Sequence, residues 1–122
     1  MEKGKIKTFL DLYAWQEGHK LVLLIYKLTK NFPREETFGL ISQLRRAAVS
    51  VTSNIAEGFS RLRYTEKIQF YYFAKASNTE IQNQLLIAKD VGYLNNDQFS
   101  IASNQSVTVN RILYGLIKKS RP

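Results

Sequence analysis

The chain has 122 residues, with eighteen Lys and Arg against ten Asp and Glu, and it contains no cysteine. This length suits one domain, and the lack of cysteine excludes a disulfide framework and a thiolate metal site. The net charge of +8 favours a polyanionic partner. We expect one cytoplasmic domain over 1–122 with frayed ends at 1–8 and 120–122, and no apolar run is long enough to span a membrane.

Four amphipathic helices are predicted in chain order, at about 11–31, 35–58, 65–91 and 97–119. Pro33 breaks the first helix, and Gly58 and Gly92 suit the left-handed position that ends the second and third. Asn95 suits the cap of the fourth. Short connections make neighbouring helices antiparallel, so the predicted fold is all-α, an antiparallel up-and-down four-helix bundle without strands.

Apolar residues at steps of three and four predict the seams that pack the bundle. The second helix offers Leu44, Ala48, Val51 and Ile55, among others. The more interrupted seam of the fourth helix is predicted at Ile101, Thr108, Ile112 and Leu116. Phe70 and Phe73 are expected to be buried, either within the chain or between chains.

A polar stripe follows a neighbouring face of the second helix, and its members are Gln43, Arg46, Ser50, Asn54 and Glu57. Uncharged Ser and Asn among alanines indicate close contact with another helix or another subunit, and the sequence leaves both open. If the helix ends at Gly58, Glu57 lies at the negative end of the helix dipole, so we expect a cationic partner such as Arg46. Glu80 is a second candidate partner for Arg45 or Arg46.

Several of these segments together resemble a bacterial family, that of the 23S rRNA intervening-sequence proteins. The residues that carry the resemblance include Leu12 to Trp15, Phe32-Pro33, Phe38 to Leu40, Gln43 to Ala48, Ser50, Asn54 to Gly58, Glu80 and Gly92 to Leu94. The accessory protein of diversity-generating retroelements is similar in fold. The resemblance implies an up-and-down bundle, a ring-shaped homopentamer and nucleic-acid binding.

Charge and resemblance together predict phosphate contacts at Arg45, Arg61, Arg63, Lys67, Arg111, Lys118 and Lys119. Arg46 is expected to be structural, with Ser50, Asn54, Glu57 and Glu80 in an interface. Tyr64, Tyr71 and Tyr72 are candidates for base stacking. The alternative function is a homo-oligomeric scaffold that docks a protein partner such as a polymerase.

Enzymatic chemistry finds little support in the sequence. His19 is the single histidine, which excludes a multi-histidine metal site and leaves serine nucleophiles without an evident base. Its place on the apolar stripe of the first helix favours a packing role. The six glycines are scattered and form no phosphate loop. We therefore predict no catalytic residues, no metal and no cofactor.

Overall fold

The structure is a computed structural model and describes residues 5–122. In this part of the chain it contains no strand and four long helices, α1 Tyr13–Thr29, α2 Leu40–Ser60, α3 Tyr64–Asp90 and α4 Asn96–Ser120. Successive helices are antiparallel, because Gly58 lies against Tyr71, Ser50 against Ser77, and Gln43 against Gln84 along α2 and α3. The predicted four-helix bundle is confirmed. No helix between residues 5 and 122 combines the length and the apolar character needed to cross a membrane.

The predicted start of α2 was four or five residues too early, because Arg34–Glu36 forms a separate 3₁₀ turn. Gly39 precedes α2 and has no side chain to cap it. Glu36 takes that role, since its carboxylate accepts a hydrogen bond from the backbone N–H of Leu40 at 3.0 Å and another from the Tyr93 hydroxyl at 2.9 Å. These two bonds, that of Leu40 first, lower the pKa of Glu36.

We expect the Glu36 cap to make the bundle acid-sensitive. A carboxylate whose pKa is lowered by folding stabilises the folded state above its unfolded pKa, about 4.3, and this contribution is lost as the pH falls through the folded pKa. Between about pH 6 and pH 3, the midpoint temperature of thermal unfolding should therefore decrease less for Glu36→Gln than for the wild type. Glu35→Gln is the control, because the Glu35 side chain makes no hydrogen bond. Equal slopes for both variants and the wild type would contradict this role.

Gly92 and Asn95 have the roles predicted for them at helix ends, and Gly58 does not. Gly92 has φ of +90° and follows α3, and Asn95 caps α4 in a capping box with Gln98. Gly58, by contrast, lies inside α2 and is the site of a close helix contact: a Cβ there would lie 2.6 Å from Cε1 of Tyr71. The glycine therefore admits the Tyr71 ring and does not end the helix.

The core confirms the α2 seam and corrects the α4 seam. Leu44, Ala48, Val51 and Ile55 are buried, as predicted. In α4 the predicted Ile101 is 59% exposed. The buried residues there are Ala102, Ser106, Val109, Leu113 and Ile117.

A buried polar pair explains why the face that α4 buries differs from the predicted one. Asn78 Nδ2 donates to the backbone oxygen of Ser106 at 2.8 Å, and Ser106 Oγ donates to Asn78 Oδ1 at 2.7 Å. Because both residues are fully buried and satisfy each other, the pair fixes how α4 faces α3. A pattern of apolar residues alone could not place a serine in the core.

Residues 7 and 8 of the expected frayed segment take part in hydrogen bonds. The side chains of Thr8 and Asp11 form a capping box around the 3₁₀ turn Phe9–Asp11, and the backbone N–H of Lys7 also donates to Asp11. Residues 1–4 of the expected frayed segment lie outside the described residues. At the other terminus α4 continues to Ser120, so only 121–122 follow the helix.

Candidate functional site: a basic bundle end and a polar groove

The antiparallel fold brings three charged segments together at one end of the bundle, where α1 and α3 begin and α2 and α4 end. We call this the basic end and define it as residues 5–16, 57–67 and 114–122. Its eight basic residues, Lys5, Lys7, Arg61, Arg63, Lys67, Lys118, Lys119 and Arg121, face only three acids, Asp11, Glu57 and Glu66. At the opposite end, residues 26–43 and 87–99 contain four basic and four acidic residues. The positive field is therefore concentrated at one end.

Four of the predicted phosphate contacts lie at the basic end with accessible charges. Arg63 and Lys119 are exposed, and their side chains make no hydrogen bond or ion pair with any described residue. Lys118 lies over the ring of Tyr114, with 5.5 Å between its ammonium and the ring centroid. Arg61 is exposed, stacks on Phe70 at 4.7 Å and approaches Glu57 at 3.7 Å.

Lys67 lies at the same end but is held in a structural contact. Its ammonium donates to the backbone oxygens of Phe59 at 2.7 Å and Gly58 at 3.3 Å, which are among the unpaired carbonyls at the end of α2. Partial burial lowers its pKa. Removing Lys67 would therefore weaken the end of α2 as well as the positive field.

Arg45 and Arg46 differ in what their side chains contact. Arg45 is packed: its Nε donates to Thr29 Oγ1 at 2.9 Å, and its guanidinium lies 4.6 Å from the Tyr26 ring centroid. This contact holds α2 against the end of α1, at the opposite end of the bundle from the basic end. Arg46 is exposed, and its side chain makes no hydrogen bond or ion pair with residues 5–122. The phosphate contact expected of Arg45 and the structural role expected of Arg46 stay predictions. Arg111 is exposed partway along α4.

The polar stripe of α2 forms one side of an open groove against α3. The groove has a volume of about 330 Å³ and is lined by Gln43, Arg46, Ala47, Ser50, Ser77, Glu80 and Gln84. Its floor is hydrogen-bonded within the chain: the hydroxyls of Ser50 and Ser77 lie 2.8 Å apart, and Asn54 Nδ2 donates to the backbone oxygen of Ser50 at 2.8 Å. We call this surface the polar groove.

Other groups of the polar groove have no partner. Gln84 is 7% exposed, and its Oε1 is buried without a hydrogen bond, while its Nε2 makes only a long contact of 3.5 Å to Gln43. Glu80 pairs with neither Arg45 nor Arg46 in the chain.

Glu57, outside the polar groove, has a cationic partner as predicted, but the partner is Arg61 at 3.7 Å and not Arg46.

The sequence analysis missed Gln84 as a member of the groove. The available signal was that Ser77, Glu80 and Gln84 recur at steps of three and four on α3 and mirror the polar stripe of α2. A polar periodicity on one helix identifies a groove only when the helix that packs against it is known.

The aromatic side chains also depart from expectation. Tyr71 was a stacking candidate, but it is 2% exposed and packs against Gly58. Phe73 is 48% exposed, so it is not buried within the chain, and its burial between chains stays a prediction. Tyr72 is exposed and Tyr64 is half-buried. The ring of His19 stacks on Trp15 with 4.8 Å between centroids, the packing role predicted for it.

No group of three or more His, Asp or Glu side chains between residues 5 and 122 is arranged to hold a metal ion. The fold and the surface define a basic four-helix-bundle protein with one strongly positive end. The family model of the 23S rRNA-intervening sequence protein matches residues 10–115. The chain belongs to this family.

A solved structure supports the fold independently. A crystal structure at 1.70 Å resolution of a protein of unknown function from the S23 ribosomal protein family of Bacteroides thetaiotaomicron VPI-5482 superimposes with a TM-score of 0.77. The two sequences are 21% identical, and the match covers 86% of this chain and 98% of the other. No curated protein matches the sequence. The similarity to the retroelement accessory protein stays a prediction.

Proposed function

We propose that this protein is a non-enzymatic, homo-oligomeric helical bundle that binds nucleic acid through its basic end, chiefly by contacts with backbone phosphates. The supporting observation is the excess of eight basic over three acidic residues at that end, against an even balance at the other. The family description refers to a sequence that intervenes in 23S rRNA and names no binding partner, so the proposal covers both RNA and DNA. The proposal keeps the cytoplasmic location expected from the absence of cysteine.

Phosphate neutralisation explains how such a surface binds nucleic acid without a structural element that contacts the base edges. Exposed cations displace condensed counterions from the nucleic acid, and the released ions drive association with little dependence on base sequence. Arg63, Lys118, Lys119 and Arg121 are the best placed, since they are exposed at the basic end. Tyr64 at the start of α3 is available to stack on a base beside them.

A ring of subunits strengthens this mechanism. In a cyclic oligomer whose axis follows the helices, every basic end faces the same side of the ring, because the symmetry is a pure rotation. The homopentamer implied by the sequence resemblance thus presents five basic ends to one polyanion. Light scattering of the wild type tests the expected mass of five chains of 14.1 kDa.

We expect the binding of labelled single-stranded RNA and of duplex DNA, measured by fluorescence anisotropy, to weaken steeply with salt. The slope of log affinity against log salt should be about −0.7 for each phosphate contacted on single strands and about −0.9 on duplex DNA. Arg63→Ala should flatten the slope by roughly one contact and weaken different sequences alike.

A sharp sequence preference that persists at high salt would contradict the phosphate mechanism. No binding even at low salt would contradict the proposed function and favour the scaffold that docks a polymerase-type protein. For that alternative the chain offers an apolar groove beside the basic end, lined by Ile6, Leu12, Tyr13, Ala14, Ile112, Gly115, Leu116 and Lys119.

A further inference from the structure

The polar groove leaves three groups without partners, and they differ in chemical character. Arg46 is a free cation on the α2 side, Glu80 is a free anion on the α3 side, and Gln84 Oε1 is a buried acceptor on α3 beside Gln43. A buried acceptor without a donor costs about 1 to 3 kcal/mol. Because Gln84 Oε1 is enclosed, the charged groups that an occupant of the groove can contact are Arg46 and Glu80, which are both exposed.

The surface beside the groove on α3 is apolar. Phe73 and Ile87 are 48% and 44% exposed, and Ala76 lies between them on the same stripe as Glu80. Half-exposed aromatic and aliphatic side chains next to a polar groove are typical of the surfaces that proteins bury against each other. Neither a phosphate backbone nor a small polar ligand would cover them.

The charges favour a second copy of this chain as the occupant. Across the polar stripe and the α3 flank, Arg46 is balanced by Glu80, and Glu57 is balanced by Arg61. A face of this kind does not repel its own copy, although each chain carries a net charge of +8. The acids also make it a poor surface for a polyanion, whereas Arg46 of one copy complements Glu80 of another.

We propose that the α2 flank of one copy docks on the α3 flank of the next, with Arg46 of the first paired to Glu80 of the second. The contact covers the exposed side chains of Phe73 and Ile87. Because Arg46 and Glu80 lie on opposite sides of the groove, each copy offers one flank to each neighbour. This inference rests on the homo-oligomer of the proposed function and identifies its interface.

The test is a charge exchange followed by light scattering over a range of protein concentrations. Arg46→Glu and Glu80→Arg each place like charges in contact, so each should raise the concentration needed for assembly by at least about tenfold. The double variant that exchanges the two charges should return to the assembly of the wild type. Arg111→Glu and Glu66→Arg are matched controls, because both residues are exposed and lie outside the groove.

The outcomes separate this inference from the rest of the proposal. A far-ultraviolet dichroism spectrum confirms that each variant is folded. Single variants that assemble to the mass of the wild type at the same concentration would overturn this interface and leave the oligomer itself in place. That result is also the one expected if Arg46 and Glu80 pair within one chain. A monomeric wild type would overturn both the oligomer and this interface, while nucleic-acid binding by the monomer is measured independently by anisotropy.

Discussion

Gly58→Ala is expected to lower the free energy of unfolding by about 1 to 3 kcal/mol, the usual cost of forcing an extra methyl group into a packed core. The added Cβ would lie 2.6 Å from Cε1 and 2.9 Å from Cδ1 of Tyr71, and 3.1 Å from Cβ of Phe70. The Tyr71 ring is fully enclosed, so it has no room to move aside. The gain of about 1 kcal/mol that alanine brings to a helix interior acts in the opposite direction, so the net loss is expected in the lower half of this range.

Gly115→Ala is the matched control for this prediction. Gly115 lies within α4, and nothing stands within 4 Å of a Cβ placed there. The same substitution should therefore raise the free energy of unfolding by about 0.5 to 1 kcal/mol. Urea unfolding of both variants measures the difference, and Gly58→Ala proving as stable as Gly115→Ala would contradict the packing role of Gly58.

Measuring Gly58→Ala in a Tyr71→Leu protein distinguishes a packing role of Gly58 from a helix-ending role. In a Tyr71→Leu protein the ring is gone, so Gly58→Ala should cost clearly less than it does in the wild type. If Gly58 instead ended the helix in a left-handed conformation, its replacement would cost the same in both backgrounds. Non-additivity of the two substitutions is therefore the expected result.

Neutralising three exposed cations at the basic end is expected to have the largest effect on binding. The side chains of Arg63, Lys119 and Arg121 are exposed and make no hydrogen bond or ion pair with residues 5–122, so replacing each by Gln removes charge without breaking a side-chain contact. Three lost phosphate contacts should flatten the salt slope on duplex DNA by about 2 to 3 units. Affinity at low salt should fall for all sequences alike.

The opposite end of the bundle supplies a control with the same change in net charge. Lys27, Lys30 and Arg34 are also exposed and make no hydrogen bond or ion pair through their side chains. They lie among acids, and the two segments that meet there, residues 26–43 and 87–99, have no net charge. Replacing these three by Gln tests whether the salt slope depends on the position of the lost charges as well as on the net charge.

The fold was predictable because each helix carries its own periodic signal and the connections are short. Leu44, Val51 and Ile55 are buried as the seam of α2 predicts. The α4 seam was not predictable in the same way, because its buried face includes Ser106, whose partner Asn78 lies on another helix. The end of α2 was missed for a similar reason: a glycine that admits a ring looks like a glycine that ends a helix.

The candidate site was predictable only to the level of which segments carry charge. Arg61, Arg63, Lys118 and Lys119 were found because they lie at helix ends that an up-and-down bundle must bring together. What each side chain does there depends on neighbours distant in sequence. Lys67 binds the carbonyls that end α2, and Arg45 reaches Thr29 on α1, and neither contact leaves a local signal.

The most direct test of the central claim, that nucleic acid binds at the basic end, is the salt slope of duplex DNA binding for the two triple variants beside the wild type. The account predicts a slope flattened by about 2 to 3 units for the Arg63, Lys119 and Arg121 variant, and an unchanged slope for the Lys27, Lys30 and Arg34 variant. Equal slopes for the two variants would show that only net charge matters and would contradict a binding surface at this end.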